Sequence, residues 1–233
     1  MVYAARLFAL LLAVVLVDVG QATFNFTTCP SSSELWATNK EDPRKVPRTF
    51  NMSKFAPAAP GGYAYYELAF HDWTQKPSCP NPKCITSKKT FDTKRKQIND
   101  TFTIDCFGAK YSPALRFGLT DTPGELKGWW GNKFNITPQH GWIPDTIVDF
   151  ILDPSGTYYD FVLELQCVQK MNHVDFVGIN FYSRQRNPGK AYIDRILQLA
   201  RDRGLGVYMD SGFKVTIVDQ SEKSCGNATA SSL

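Results

Sequence analysis

The chain has 233 residues, a formal net charge of +4, 43% hydrophobic residues, 13% aromatic residues and six cysteines. The length fits one domain with an irregular insertion, a size that β-barrels reach. The small basic excess is no nucleic-acid footprint: Lys88-Lys89 and Lys94-Arg95-Lys96 surround a predicted hairpin turn, where charges solvate an exposed edge, so no nucleic-acid partner is expected.

At the N-terminus, Arg6 precedes the apolar run Leu7–Val17, and Gly20-Gln21-Ala22 offers small residues for cleavage. Residues 1–22 therefore read as a secretory signal peptide, because the run is too short to span a bilayer comfortably. No later segment is apolar enough to span, so no transmembrane segment is expected. Five glycosylation sequons begin at Asn25, Asn51, Asn99, Asn135 and Asn227, and they fit a secreted, extracellular chain.

Residues 23–60 are rich in Pro, Ser, Asn and charge and read as an irregular leader. Tyr63–Trp73 is the first convincing strand, bounded by Gly61-Gly62 and Thr74-Gln75-Lys76-Pro77. Strict alternation puts Tyr65, Glu67, Ala69, His71 and Trp73 on one face. Cys84–Thr93 and Thr101–Cys106 form a predicted hairpin around Lys94–Asp100, and Ala114–Thr120 and Gly128–Phe134 continue the meander. Ile147–Leu152 and Tyr159–Cys167 flank the turn Asp153-Pro154-Ser155-Gly156. Val174–Tyr182 follows, then the helix Lys190–Arg203, whose Ile193, Ile196, Leu197 and Ala200 make one apolar stripe. Gly204 stops that helix, Phe213–Val218 is a short strand, and 226–233 is a flexible tail. The pattern predicts a mainly β domain over 61–225: an eight-stranded antiparallel up-and-down barrel with one C-terminal α-helix outside it.

An even cysteine count in a secreted chain argues for three disulfides, with 15 pairings open. Metal ligation is weakly indicated, since Cys79 and Cys84 have no matching pair and His71, His140 and His173 are scattered. No metal site and no catalytic residue are expected. Glu67 and His71 share a strand face about 13 Å apart, too far for an acid–base pair, and His71 reads as a rim or cavity polar group.

These residues resemble the lipocalin family, in the branch with apolipoprotein D and the pigment-binding insecticyanins and crustacyanins. The resemblance rests on Cys29-Pro30, on Tyr65-Tyr66-Glu67-Leu68-Ala69 after Gly62, and on Thr157-Tyr158-Tyr159 before the strand ending at Cys167. It continues in Ser183-Arg184 ahead of Asn187-Pro188 and in Val215-Thr216, Asp219-Gln220 and Cys225. Tyr65 stands where the first signature has Trp, and residues 107–145 carry no match.

The resemblance implies a secreted barrel that carries a small hydrophobic ligand such as a fatty acid, sterol, retinoid, carotenoid or tetrapyrrole. It implies no required cofactor, though a lipid or pigment could be bound. It turns Tyr65, Glu67, Ala69 and His71 inward, with Phe150, Leu152, Tyr159, Phe161 and Leu163 as further cavity candidates. Arg184 would stack on Tyr65 and seal the closed end. The implied pairings are Cys29–Cys167 and Cys84–Cys225, which leaves Cys79–Cys106, a bridge the hairpin allows. A different reading is a barrel filled by its own side chains, with Trp129, Trp130 and Trp142 docking a protein partner or a second copy. A lipocalin-type enzyme on a lipid or carotenoid would need a reactive thiol or a carboxylate pair in the cavity, and the chain is not expected to be an enzyme.

Overall fold

Eight antiparallel strands close on themselves because the first pairs with both the second and the ninth. In the computed structural model, which describes residues 28–31, 34–35, 50–58, 61–72, 79–130 and 143–226, the strands are β1 (Tyr63–Asp72), β2 (Lys83–Asp92), β3 (Gln97–Cys106), β4 (Ala109–Tyr111), β5 (Ala114–Leu119), β6 (Glu125–Trp130), β7 (Ile143–Leu152), β8 (Tyr159–Lys170), β9 (His173–Ser183) and β10 (Thr216–Ile217). Around the barrel the order is β1-β2-β3-β5-β6-β7-β8-β9, while β4 hangs on β3 and β10 on the outer edge of β1. Closure leaves no long exposed edge, the usual remedy for a meander of this length. The signal peptide, Asn25, Asn135, Asn227, Trp73 and Trp142, and the side chains of Trp129 and Trp130, lie outside the described residues.

Several boundaries differ from the sequence reading. The β2–β3 turn is shorter, because the Asp92 carboxylate accepts the N–H groups of Lys94 and Arg95 and Asp92 already pairs with Gln97. β7 starts at Ile143, four residues before the expected Ile147; Pro144 points outward and is exposed while Asp145 points in. β6 spans 125–130, displaced from the expected 128–134, since Leu126 and Gly128 pair with Asp145 and Ile143.

Outside the wall lies α2 (Lys190–Asp202), preceded in the chain by the short α1 (Met52–Phe55). Ile196 and Ala200 of α2 pack on Phe161, Leu163, Leu165, Val177, Ile179 and Phe181 of β8 and β9. This apolar sheet face is what a 3.6-period stripe needs as a partner. Arg203, which caps α2, is buried and its Nε donates to Asp149 Oδ2 on β7 at 2.6 Å. Two further single turns, α3 (Gly206–Met209) and α4 (Glu222–Cys225), carry the chain back to β2.

The described residues of the expected leader pack on the barrel. Asn51 caps α1 by accepting the Ser53 N–H, and Phe55 is driven into the end of the barrel where β1 begins. There Phe50, Phe55, Phe150 and Tyr159 form one ring cluster that plugs that end. Three disulfides join Cys29–Cys167, Cys79–Cys106 and Cys84–Cys225, the pairs the resemblance implies.

Candidate functional site

The barrel interior has three layers. The plugged end is aromatic and apolar, with Tyr65, Ile98, Phe117, Ile147, Val162 and Tyr182 beneath the plug. The opposite end holds Phe70, Ile85, Ile104 and Val218 beside the Cys79–Cys106 bridge. Between them runs a belt of buried polar side chains: Glu67 from β1, Ser87 and Lys89 from β2, Asp100 from β3, Asp145 from β7, Glu164 and Gln166 from β8, and Asn180 from β9. Register explains the gathering, since residues directly opposite across a sheet share a face: Lys89 faces Asp100, Asp145 faces Gln166, and Glu164 faces Asn180.

Lys89 is the hub. Its Nζ lies 2.8 Å from Asp100 Oδ2 and 3.5 Å from Glu164 Oε1, with the rings of Tyr182, Phe55 and Phe117 at 4.7, 5.2 and 5.2 Å. Ser87 Oγ donates to the Asp100 carboxylate at 2.8 Å, and Asn180 Nδ2 donates to Glu67 Oε1 at 2.6 Å. Asp145 is buried with neither carboxylate oxygen in a well-formed hydrogen bond, although Gln166 leans toward it.

Burial would depress the Lys89 ammonium, but Asp100 and Glu164 outweigh it and hold the pKa above the ordinary lysine value. Burial, then repulsion from Glu164, pushes Asp145 well above the ordinary carboxylate range. Glu164 is raised as well, again by burial first, with Lys89 opposing and Asp100 adding to the rise. Neutral Tyr65 and Tyr182 are enforced the same way, both raised chiefly by burial.

The predicted cavity residues divide. Tyr65, Glu67, Phe150 and Tyr159 lie on the inner face. Ala69 and His71 do not: the register of β1 against β9 shifts between Glu67 and Ala69, so Phe70 and Asp72 point inward in their place. This one-residue irregularity inverts the alternation beyond it. His71 is buried on the outer side near Asp210 and the Phe213 carbonyl, and burial lowers its pKa despite both. Phe161 and Leu163 face α2, and Leu152 is 41% exposed at the strand end. Arg184 lies 4.6 Å from the rings of both Tyr63 and Tyr158 and 5.9 Å from Tyr65, so the expected stack on Tyr65 is a clamp between its neighbours.

Lys89, Ser87, Asp100, Asp145, Glu164, Gln166 and Asn180 are belt residues that sequence reasoning missed. Lys89 corrects a specific expectation: it was assigned to a solvated edge and is 1% exposed inside the barrel. A signal was available in β8. Phe161, Leu163, Leu165 and Cys167 form an unbroken apolar face suited to the helix, which leaves Val162, Glu164 and Gln166 as the face turned inward.

No family model matches the sequence, and no curated protein matches it. Solved structures do match in three dimensions. They include apocrustacyanin C2 at 14% identity and TM-score 0.56, covering 86% of this chain and 92% of that one. Apocrustacyanin C1 follows at 15% identity and TM-score 0.55, covering 85% and 91%. Lobster apocrustacyanin A1 matches at 13% identity and TM-score 0.53, covering 86% and 92%. At these identities the likeness is one of fold: the closed eight-stranded antiparallel barrel with its outer C-terminal helix is the lipocalin fold.

Proposed function

We propose that the chain is an extracellular lipocalin that binds and carries a small, largely hydrophobic molecule inside its barrel, without chemistry of its own. The observation that carries this reading is the layered interior, in which apolar walls at both ends flank polar groups able to orient a guest. Apolar lining contributes roughly 25 cal/mol per Å² removed from water, and a few convergent polar groups fix orientation. Three disulfides and five sequons support an oxidising, secretory setting. Among the described residues no helix is long and apolar enough to cross a membrane. All six cysteines are bonded, which closes the thiol route of an enzymatic reading, whereas buried carboxyls, Asp100, Asp145 and Glu164, do gather in the interior.

A filled barrel serving as an interaction scaffold is the second reading, favoured by the ring cluster of Phe50, Phe55, Phe150 and Tyr159. Native mass spectrometry of deglycosylated protein from its own source, with an organic extract and absorption spectrum, separates the two. A small molecule released by solvent is the expected result. A clean apo mass, with no uptake of fatty acid, retinoid or pigment on titration, would overturn the carrier reading.

A further inference from the structure

We infer that the polar belt is a seat for the protonated amine head of the carried molecule, formed by Asp145, Glu164, Gln166 and Asn180; this rests on the carrier reading and names the chemistry of its guest. The first observation is charge. Asp100, Asp145 and Glu164 crowd the belt around one cation among the described residues, Lys89. The second is a donor deficit. The donors of Ser87 and Asn180 are directed at Asp100 and Glu67, and Lys89 makes its hydrogen bond to Asp100.

What remains is a set of buried atoms without hydrogen-bond partners, and every one in the belt is an acceptor: both oxygens of Asp145, Glu164 Oε1, Gln166 Oε1 and Asn180 Oδ1. Glu164 Oε1 has only the long ion pair to Lys89. Gln166 and Asn180 matter most here, because they are neutral, at least nine-tenths buried, and opposed to Asp145 and Glu164.

Acceptors that lack donors are completed by a donor-rich guest and left stranded by an apolar one. An ammonium brings up to three N–H donors, and its charge favours ionised Asp145 and Glu164 over the protonated forms that burial favours when the belt has no guest. A carboxylate guest would add a further acid. Among the described residues no group of acidic, His or Cys side chains is arranged to hold a metal ion. The rings of Tyr182 and Phe117 beside the belt suit an organic cation with an apolar body, as they already do for Lys89. Gly178 is closely packed at the same place: a Cβ there would stand 3.0 Å from the Phe176 ring, 3.3 Å from Asp72 Oδ2 and 3.4 Å from Gln166 Oε1.

The test is calorimetric titration of the intact, disulfide-bonded protein at neutral pH with three molecules that share a phenyl ring and differ in the head: 2-phenylethylamine, 2-phenylethanol and phenylacetate. The amine is expected to bind at least tenfold more tightly than the alcohol, and phenylacetate no better than the alcohol. Asp145→Asn should abolish the preference for the amine, with a melting temperature no lower than the parent's as the check on folding. Gly178→Ala provides a variant that leaves every charge in place, and it should weaken the amine several-fold. Equal or better binding of the alcohol or acid overturns the inference, and the carrier reading survives because a guest has still entered. Failure of all three to bind also overturns it, and the extract of the native protein then decides the carrier reading separately.

Discussion

At the residue scale, Lys89 shows what a buried charge costs and what holds it. Removing one partner of a buried ion pair leaves the other uncompensated, a loss of roughly 3–5 kcal/mol. Lys89→Met is therefore expected to lower stability by about that amount in urea denaturation, with Asp100 and Glu164 left facing each other. The carboxyls predict two opposite pH dependences. Asp145 and Glu164 are raised by burial and by their acidic neighbours, so the fold holds protons that the unfolded chain releases. That contribution is complete below about pH 4, the ordinary carboxylate range, and is lost as pH climbs through the folded values. Asp153 has the other sign. Partial burial pushes it up, but hydrogen bonds from the Ser155 hydroxyl and the Tyr158 N–H hold it down at about 2. Its contribution is present above the unfolded value and lost as pH falls toward 2. Melting temperatures across the acid range should show both, Asp145→Asn flattening the loss on the alkaline side and Asp153→Asn flattening the loss on the acid side. Arg184→Ala, which removes a guanidinium held between two rings, is expected to cost roughly 0.5–2 kcal/mol by the same denaturation assay.

At the scale of elements, the outer helix and the bulge in β1 decide which side chains reach the interior. The apolar stripe of α2 claims the apolar face of β8 and β9, so the barrel interior receives the mixed face. Arg203 fastens the end of that helix to Asp149, a carboxyl that burial pushes up even as Arg203 draws it down. Arg203→Ala should cost about 3 kcal/mol by leaving Asp149 unpaired. Amide exchange should quicken in Lys190–Asp202 well before it does in β2 and β3, and uniform quickening would show that the pair does not anchor the helix specifically. The bulge explains why Ala69 and His71 were misassigned. Alternation predicts facing only while the ladder stays in register, and nothing in Glu67-Leu68-Ala69 marks the slip.

At the scale of the whole molecule, the bridges tie distant chain segments to the wall. Cys29–Cys167 spans 138 residues and Cys84–Cys225 spans 141, so each removes a large loop from the unfolded ensemble. Chain-entropy arguments put such a bridge at roughly 3–5 kcal/mol. The double variant Cys29→Ser with Cys167→Ser is expected to lose about that much and to keep its barrel, checked by thermal melting and far-ultraviolet circular dichroism. Loss of the barrel signal would show that the bridge is needed for the fold as well as for its stability. The Cys84–Cys225 bridge also fastens the returning segment at the end opposite the aromatic plug, where Val218 packs with Phe70 and Ile85.

Much of this architecture was legible locally. Period-2 runs, the Asp153-Pro154-Ser155-Gly156 turn and the 3.6-period stripe ending at Gly204 are short-range patterns, and each is written in neighbouring residues. With the ordered motifs and six cysteines they suffice for a mainly β barrel with one outer helix. Most of the belt was not legible, because its members come from six strands; Glu67 was placed inward by alternation, and only in β8 does the opposite apolar face mark Glu164 and Gln166. Lys89 looks like a surface lysine until β3 places Asp100 opposite and the closing barrel brings Glu164 from the far wall. By itself, then, the sequence determined elements, order and class, which depend on local periodicity. Only the tertiary structure decided what lies inside, because facing depends on register, and register is set by closure of the sheet and by the helix that covers one side of it.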